Sequence, residues 1–239
     1  MAGEAAAASR SGGGLASEGD ASAAQSSEAD AASRPAALYK PLVWVDLEMT
    51  GLDPNVDTIL EIAVIVTDGH IRERIEGPEL CIHHADVVLE NMNEWSAEHH
   101  AASGLTEACR ESDVSLKDAE RRVLDFVKSY VPEPRVGLLA GNSVHADAAF
   151  LRAHMPDLSA HLHYRIVDVT SIKEVTARWL PNVAKRAPRK SNNHRALADI
   201  RESIDELAYL QRAVFDKAKA QRAGGGSSKG SKSRGSSKR

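Results

Sequence analysis

The sequence predicts an α/β domain, a sheet flanked by helices, and three observations support this. Three segments with strand-like apolar patterns come first along the chain. Segments with the apolar period of amphipathic helices follow, separated by two more short apolar runs. Both ends of the chain are poor in the large apolar side chains that a core requires. Strands followed by helices in this order are typical of an α/β or α+β fold.

The first half of the chain contains the predicted antiparallel strands. Leu42 to Leu47 is a short apolar run that ends before Gly51, and Ile59 to Thr67 is a second run. Asp68-Gly69 is a hairpin turn signal, which predicts a returning strand from His70 to Ile75. A further short strand is predicted at Leu80 to His83.

The rest of the chain alternates between helices and short strands. Ser115 is a candidate N-cap for the most regular of the helices, Leu116 to Tyr130. The other predicted helices are Met92–Ser103, Asp147–His154, Thr170–Trp179 and a last helix from His194 to about Ala220. The two short strands between them are predicted at Val136–Ala140 and Arg165–Val169.

Composition divides the chain into one foldable part and two tails. Residues 1–34 are mostly Ala, Ser, Gly and acids, and residues 221–239 are mostly Gly, Ser, Lys and Arg. Such stretches bury too little apolar surface to offset the entropy lost on ordering them. We therefore expect a disordered N-terminal extension, one domain over residues 35–220 and a disordered basic tail.

The formal net charge of −4 hides an asymmetry along the chain. Residues 1–34 carry −3 and residues 217–239 carry +8, so the part between them carries −9. An acidic domain suits a site of carboxylates whose charge is neutralised by divalent cations. The basic tail has two interpretations, weak attraction to phosphates or a solubilising end, and the sequence does not choose between them.

Cysteine usage and the N-terminal composition bear on the cellular compartment. Cys81 and Cys109 do not make a disulfide framework, which fits a reducing compartment. The Ala/Ser-rich N-terminus with Arg10 and Arg34 has features of an organelle transit peptide, but its five acids argue against one. The sequence leaves the localisation open between the mitochondrion and the cytoplasm.

The pair Asp46 and Glu48 is the first candidate for chemistry. Side chains two residues apart on a strand point to the same face, so these carboxylates lie side by side. Neighbouring carboxylates repel each other unless a cation lies between them. Solvated acids at an exposed strand end are the alternative interpretation of this pair.

Three later residues favour the metal site. Asp147 stands at a predicted strand-to-helix junction, and Asp199 stands in the first turns of the last helix. His194 precedes Asp199 by five residues, which turns a helix by roughly 140°, so the two share no helical face. We therefore expect His194 to lie in the loop before the helix, with its ring directed toward the acids.

Four segments resemble the oligoribonucleases, which belong to the DEDDh branch of the ribonuclease-H-like exonucleases. The resemblance covers about residues 40–215, and the segments are Trp44–Asp53, Gly141–Ser143, Tyr164–Val169 and His194–Ser203. It implies a ribonuclease-H-like exonuclease fold with a central mixed five-stranded sheet flanked by helices. It also implies a homodimer that degrades RNA from the 3′ end and releases 5′-mononucleotides.

The resemblance also implies roles for single residues. The residues that resemble ligands of two Mg²⁺ or Mn²⁺ ions are Asp46, Glu48, Asp147 and Asp199. His194 resembles the general base that accepts a proton from the attacking water. Hard oxygen ligands suit these cations, and a neutral imidazole is a suitable proton acceptor near pH 7.

Further positions resemble the family's substrate contacts. Leu52 resembles the apolar wedge against the bases, and Trp95 resembles the stacking aromatic. Those that resemble a cap over the 5′ phosphate are Ser143, His100, Arg165 and Thr170. Tyr164 resembles a residue that reaches this cap from the partner subunit. The resemblance therefore implies single-stranded RNA substrates of about two to five nucleotides, dinucleotides above all.

One segment departs from the family's pattern. The sequence has Val144-His145-Ala146 before Asp147 and two alanines after it, where the pattern has a glycine and a glutamine before and basic residues after. Phosphate attraction near this helix is thereby put in doubt. Two rival hypotheses remain at this stage: a DEDDh exonuclease that trims longer RNA or DNA ends, and a catalytically silent nucleic-acid-binding module.

Overall fold

The computed structural model describes residues 38–188 and 195–216. Within them, five strands form one mixed sheet in the order β3-β2-β1-β4-β5. The strands are Leu42–Met49 (β1), Ile59–Thr67 (β2), Arg74–Cys81 (β3), Leu138–Gly141 (β4) and His163–Asp168 (β5). β1 to β3 pair antiparallel, whereas β4 pairs parallel with both β1 and β5. The predicted mixed five-stranded sheet is confirmed.

Helices surround this sheet. They are Asp86–Glu90 (α1), Glu94–Ala102 (α2), Leu105–Glu111 (α3), Leu116–Tyr130 (α4), His145–His154 (α5), Pro156–His161 (α6), Val169–Trp179 (α7), Pro181–Ala184 (α8) and Ala196–Leu210 (α9), which continues into a π-helical segment, Gln211–Asp216. The predicted helix α4 has its exact bounds, and the Ser115 side chain accepts a hydrogen bond from the Asp118 amide as its N-cap. None of the described helices has the length and apolar composition needed to cross a bilayer.

The two faces of the sheet bury separate cores. On one face, Val45 and Leu47 of β1 pack with residues of α4, α5 and α6. On the other face, Trp44 packs with the apolar side of α9, including Ile200 and Ile204. β1 and β2 are covered on both faces, which explains why their sequences are nearly continuous apolar runs.

The returning strand begins later than the sequence predicts. The carboxylate of Asp68 accepts hydrogen bonds from the backbone amides of His70, Arg72 and Glu73. These bonds hold a wider loop than a two-residue hairpin turn, with Ile71 at a φ of 61°. The separate strands predicted at 70–75 and 80–83 are wrong, because one continuous strand, β3, takes their place.

Candidate active site

Asp46 and Glu48 lie on the face of β1 that α9 covers. Their neighbours Val45 and Leu47 are buried in the opposite core, so the predicted alternation is confirmed. Helix α9 begins at Ala196, and the Asp199 amide donates to the Arg195 carbonyl at 3.0 Å in its first turn. This places Asp199 beside the strand pair.

Three carboxylates meet at this point. The structure brings together oxygen atoms of Asp46, Glu48 and Asp199, all within 4.8 Å of one another. We call these three residues the acidic cluster. The predicted base, His194, lies outside the described residues, so its position relative to the cluster stays a prediction.

Asp147, on helix α5, is not one of the three grouped carboxylates, but it is hydrogen-bonded to the strand that carries two of them. Its side chain is buried, and Oδ1 accepts a hydrogen bond of 3.0 Å from the Leu47 amide, which lies between Asp46 and Glu48 in the chain. Burial raises the pKa of Asp147 to about 7, even though backbone amides, including that of Leu47, favour its ionised form. The fourth predicted carboxylate is therefore held against the strand that carries the first two.

The charges in this site fit a divalent cation. Burial raises the pKa of Glu48 to about 8, and the charges of Glu61, Asp199 and Asp147 add to this effect. Without a cation, Glu48 therefore favours its protonated form at neutral pH. The donors are all carboxylate oxygens, which hard divalent cations prefer. A cation bound here would replace this proton and relieve the repulsion.

A cavity of about 430 Å³ opens beside Glu48. It brings together three predicted substrate contacts, since its walls include Leu52, Trp95 and His100. Leu52 and Trp95 are large apolar side chains that remain exposed, by 83% and 59% respectively. His100 is buried; its Nε2 donates to the Met49 carbonyl at 2.9 Å, and its Nδ1 lies 3.9 Å from Glu48 Oε2.

The loop that presents Leu52 is held by Asp57, which sequence reasoning missed. Asp57 accepts hydrogen bonds from the Thr50 hydroxyl at 2.9 Å and from the Asp53 amide at 3.0 Å. A Cβ on Gly51 would lie 2.4 Å from the Asp57 carboxylate, so this close approach requires glycine. These contacts hold in place the loop that exposes Leu52, the predicted apolar wedge.

Ser143 and Thr170 meet at the end of β4. Ser143 has a φ of 52°, and its amide donates to Thr170 Oγ1 at 2.9 Å and to Asp168 Oδ1 at 3.0 Å. Asp168 also accepts from the Thr170 amide as the N-cap of α7. Sequence reasoning missed this role, although an aspartate two residues before a threonine at a strand-to-helix junction is a recognisable capping signal.

Tyr164 and Arg165 lie on β5, the edge strand of the sheet. The Arg165 guanidinium lies 5.2 Å from the centre of the Tyr164 ring. Across residues 38–188 and 195–216, no hydrogen bond or ion pair joins Arg165 to Ser143 or Thr170. Within one chain, the residues predicted to contact the 5′ phosphate therefore lie in separate places. Ser143 and Thr170 are joined at the end of β4, Arg165 lies on β5, and His100 lies beside the acidic cluster.

His145, the residue that departs from the family's pattern, opens helix α5. Its ring is exposed, and Nδ1 lies 3.6 Å from Asp168 Oδ2. Asp168 is the residue that holds Ser143 and Thr170 together. The histidine therefore stands beside the predicted phosphate contacts, in the region where the basic residues of the family's pattern are missing.

Comparison with known proteins gives a consistent set of relatives. The exonuclease family model matches residues 43–207. The chain is 49% identical over 180 residues to a mitochondrial oligoribonuclease of Mus musculus, covering 75% of this chain and 76% of that protein. It is 51% identical over 171 residues to the oligoribonuclease of Halorhodospira halophila, covering 72% of this chain and 92% of that one.

Solved structures agree at the level of the fold. Exonuclease I from Methylocaldum szegediense matches with a TM-score of 0.55 at 18% identity, over 76% of this chain and 43% of that one. E. coli exonuclease I in complex with a dT13 oligonucleotide matches with a TM-score of 0.55 at 16% identity, over 76% and 43%. The chain thus spans less than half the length of these structures, and they support the ribonuclease-H-like fold.

Proposed function

This chain belongs to the oligoribonuclease family and is a 3′→5′ exoribonuclease, and we propose that it hydrolyses RNAs of about two to five nucleotides by a two-metal mechanism. The observation that carries the mechanism is the acidic cluster, whose carboxylate oxygens lie within 4.8 Å of one another. Water attacks the last phosphodiester and the bond from phosphorus to the 3′-oxygen breaks, so the phosphate stays on the 5′ oxygen of the released nucleotide and the product is a 5′-mononucleotide. The acids match those of a hydrolase, whereas a silent binding module has no need of them.

The proposed ligands of the cations are the acidic cluster and Asp147. Either Mg²⁺ or Mn²⁺ suits such oxygen donors. When bound, two such ions lower the pKa of the attacking water and neutralise charge on the phosphoryl group and the leaving 3′-oxygen. Asp147 contributes from helix α5 while its second role, accepting from the Leu47 amide, fixes its direction.

The remaining steps, proton transfer and substrate binding, are assigned to side chains that do not hold the cations. We assign the role of general base to His194, whose neutral imidazole accepts the proton of the water. Trp95 offers a stacking surface for a base, and Leu52 offers an apolar wedge beside it. The Ser143 hydroxyl, which lies 3.2 Å from that of Thr170, would donate to the 5′ phosphate together with Arg165. His100 lies apart from them, beside Glu48, and would contact the substrate near the acidic cluster.

The cavity has the size expected for the 3′ end of a substrate. Its volume, about 430 Å³, is at the small end of ligand pockets, which run from roughly 300 to 1,000 Å³. A space of this size accommodates one or two bases, and the preference for short substrates rests on the proposed contacts that would enclose the 5′ phosphate. The rival function, trimming of longer 3′ ends, requires a groove that continues past the substrate's 5′ side.

A length series tests this proposal directly. We expect the kcat/KM on 5′-labelled RNAs of two to twenty nucleotides to be highest for dinucleotides, because their 5′ phosphate reaches the cap while the scissile phosphate lies at the acidic cluster. Asp46→Asn, measured alongside, controls for contaminating nuclease. Equal kcat/KM values on dinucleotides and twenty-mers would refute the preference for short substrates.

The exposed edge strand supports the proposed homodimer. In β5, Tyr164 is 73% exposed and Ile166 is 38% exposed. Both border a second cavity with an apolar wall that includes Leu139, Leu151 and Leu162. Exposed edge strands with apolar side chains tend to pair with another chain. A second copy on this edge would bring the partner's Tyr164 toward the cap.

Ile166→Lys is expected to convert the dimer to a monomer. The charged lysine would have to leave water before two copies could pair along this edge strand. Sedimentation velocity measures the change. Val87→Lys is the matched control, since Val87 is an equally apolar exposed residue on α1. A wild-type protein that sediments as a monomer, or an Ile166→Lys variant that remains dimeric, would count against this interface.

A further inference from the structure

Glu61 is a carboxylate buried in the middle of the sheet. It lies in β2 between Leu60 and Ile62, and all three residues are fully buried. Moving an ionised carboxylate out of water is strongly unfavourable unless a charge and hydrogen-bond donors replace the water. Glu61 therefore requires partners from outside its strand. The Cys81 thiol of β3, a weak donor, lies 3.6 Å from Oε1, and the stronger donors come from the start of helix α9.

Two groups of α9 bind the Glu61 carboxylate. Arg195 Nη2 donates to Oε1 at 2.9 Å, and the Ala196 amide donates to Oε2 at 3.2 Å. Ala196 is the first residue of α9, and the Arg195 side chain makes no capping hydrogen bond of its own. Glu61 thus satisfies an amide at the helix start, and its negative charge lies at the positive end of the helix dipole.

This contact connects the two sides of the acidic cluster. Glu61 stands directly opposite Glu48 in the antiparallel pairing of β1 and β2. Asp199 lies one helical turn after Arg195 and is joined to it by the 3.0 Å backbone hydrogen bond. One side chain therefore ties the strand pair that carries Glu48 to the helix turn that carries Asp199.

We propose that Glu61 is a positioning residue that fixes the start of α9 and thereby holds the Asp199 carboxylate at metal-binding distance from Asp46 and Glu48. The inference rests on the proposed two-metal function of the site. Residues that orient metal ligands without touching the metal typically change metal affinity by about 10- to 100-fold when substituted. Small displacements of catalytic groups have similarly large effects on rate.

The chain offers a matched control for the loss of a buried capping carboxylate. Glu120 of α4 is also buried, and its Oε1 accepts from the Asp157 amide at 2.7 Å and the Leu158 amide at 3.1 Å. It therefore caps α6 as Glu61 caps α9. Glu120 has no contact with the acidic cluster among the described residues. Its substitution therefore measures the loss of stability that follows when a buried carboxylate no longer caps a helix.

The test compares Glu61→Gln with Glu120→Gln in the full-length chain. Mn²⁺ binding is measured by calorimetry, Tm by thermal unfolding, and kcat and KM on a dinucleotide. We expect Glu61→Gln to weaken Mn²⁺ binding by about 10- to 100-fold and to lower kcat with little change in KM. Glu120→Gln is expected to lower Tm while Mn²⁺ affinity and kcat keep their wild-type values.

Wild-type Mn²⁺ affinity and kcat in Glu61→Gln, with only a lower Tm, would overturn the positioning role. If Glu61→Gln does not fold, Arg195→Ala removes the same ion pair from the half-exposed partner, and unchanged Mn²⁺ affinity in that variant would overturn the proposal equally. If the proposed function itself is wrong, the wild-type protein will bind Mn²⁺ without hydrolysing dinucleotides. That result differs from a failure of the positioning role, in which the wild-type protein is active.

Discussion

Replacing Asp147 by asparagine is expected to lower the rate of dinucleotide hydrolysis by about 10³-fold or more while the fold is retained. Metal ions contribute several kcal/mol of transition-state stabilisation in such sites, and each 1.4 kcal/mol corresponds to about tenfold in rate. Asparagine retains an oxygen that accepts from the Leu47 amide, so the contact between α5 and β1 persists. The expected fall in rate therefore comes from the missing negative charge and the weaker metal binding, and not from a changed fold.

Stability measurements separate this effect from misfolding. Because burial disfavours the ionised form of Asp147, the neutral asparagine is expected to leave Tm unchanged or to raise it at pH 8 without metal. Asp125→Asn, an exposed acid on α4, controls for the change in net charge and is expected to retain full activity. An Asp147→Asn variant with more than about a tenth of wild-type kcat would remove Asp147 from the metal site.

Elements with strong local signals could be predicted from the sequence. The apolar run of β2 and the capped, periodic helix α4 are confirmed with exact bounds, because burial on both faces and an N-cap serine leave clear patterns. The pairing of Asp46 with Glu48 is confirmed for the same reason, since alternation along a strand is a local property. Short helices such as α1 and α6 were missed, because five or six residues show no helical period.

Contacts between distant parts of the chain could not be predicted in this way. The hydrogen bond from Leu47 to Asp147 spans 100 residues, and that from Arg195 to Glu61 spans 134. No periodicity or spacing in the sequence links such positions, so the sequence alone presents Glu61 only as one polar residue in an apolar strand. The missing signal is an energetic one: an acid inside a fully buried strand requires a partner, and its identity emerges only from the fold.

Without divalent metal, the protein is expected to lose stability as the pH rises from about 5 to 8. The pKa of Glu48 is raised to about 8 and that of Asp147 to about 7, so the folded state holds protons that the unfolded chain has released above about pH 4.5. Stability falls with pH wherever the folded state binds more protons. The loss therefore begins near the unfolded pKa values of 3.8 for Asp147 and 4.5 for Glu48, and it is complete above about pH 8.

The size of this effect follows from proton linkage. Each proton retained by the folded state corresponds to about 1.4 kcal/mol per pH unit, and the two acids interact, so their contributions are less than additive. For a domain of this length, 1 kcal/mol shifts Tm by about 2–4 °C. We expect Tm in chelator to fall by several degrees between about pH 5.5 and pH 8.5.

Mg²⁺ or Mn²⁺ is expected to reverse this decline, because a bound cation favours the ionised carboxylates and stabilises only the folded state. Thermal unfolding across the pH range, with and without each metal, measures it. Glu48→Gln should reduce the pH dependence in chelator to the part that Asp147 contributes and should abolish most of the stabilisation by metal, whereas the exposed Glu90→Gln on α1 should behave like wild type. A Tm in chelator that stays constant with pH, or metal stabilisation that persists in Glu48→Gln, would mean that the acidic cluster is not where the cations bind.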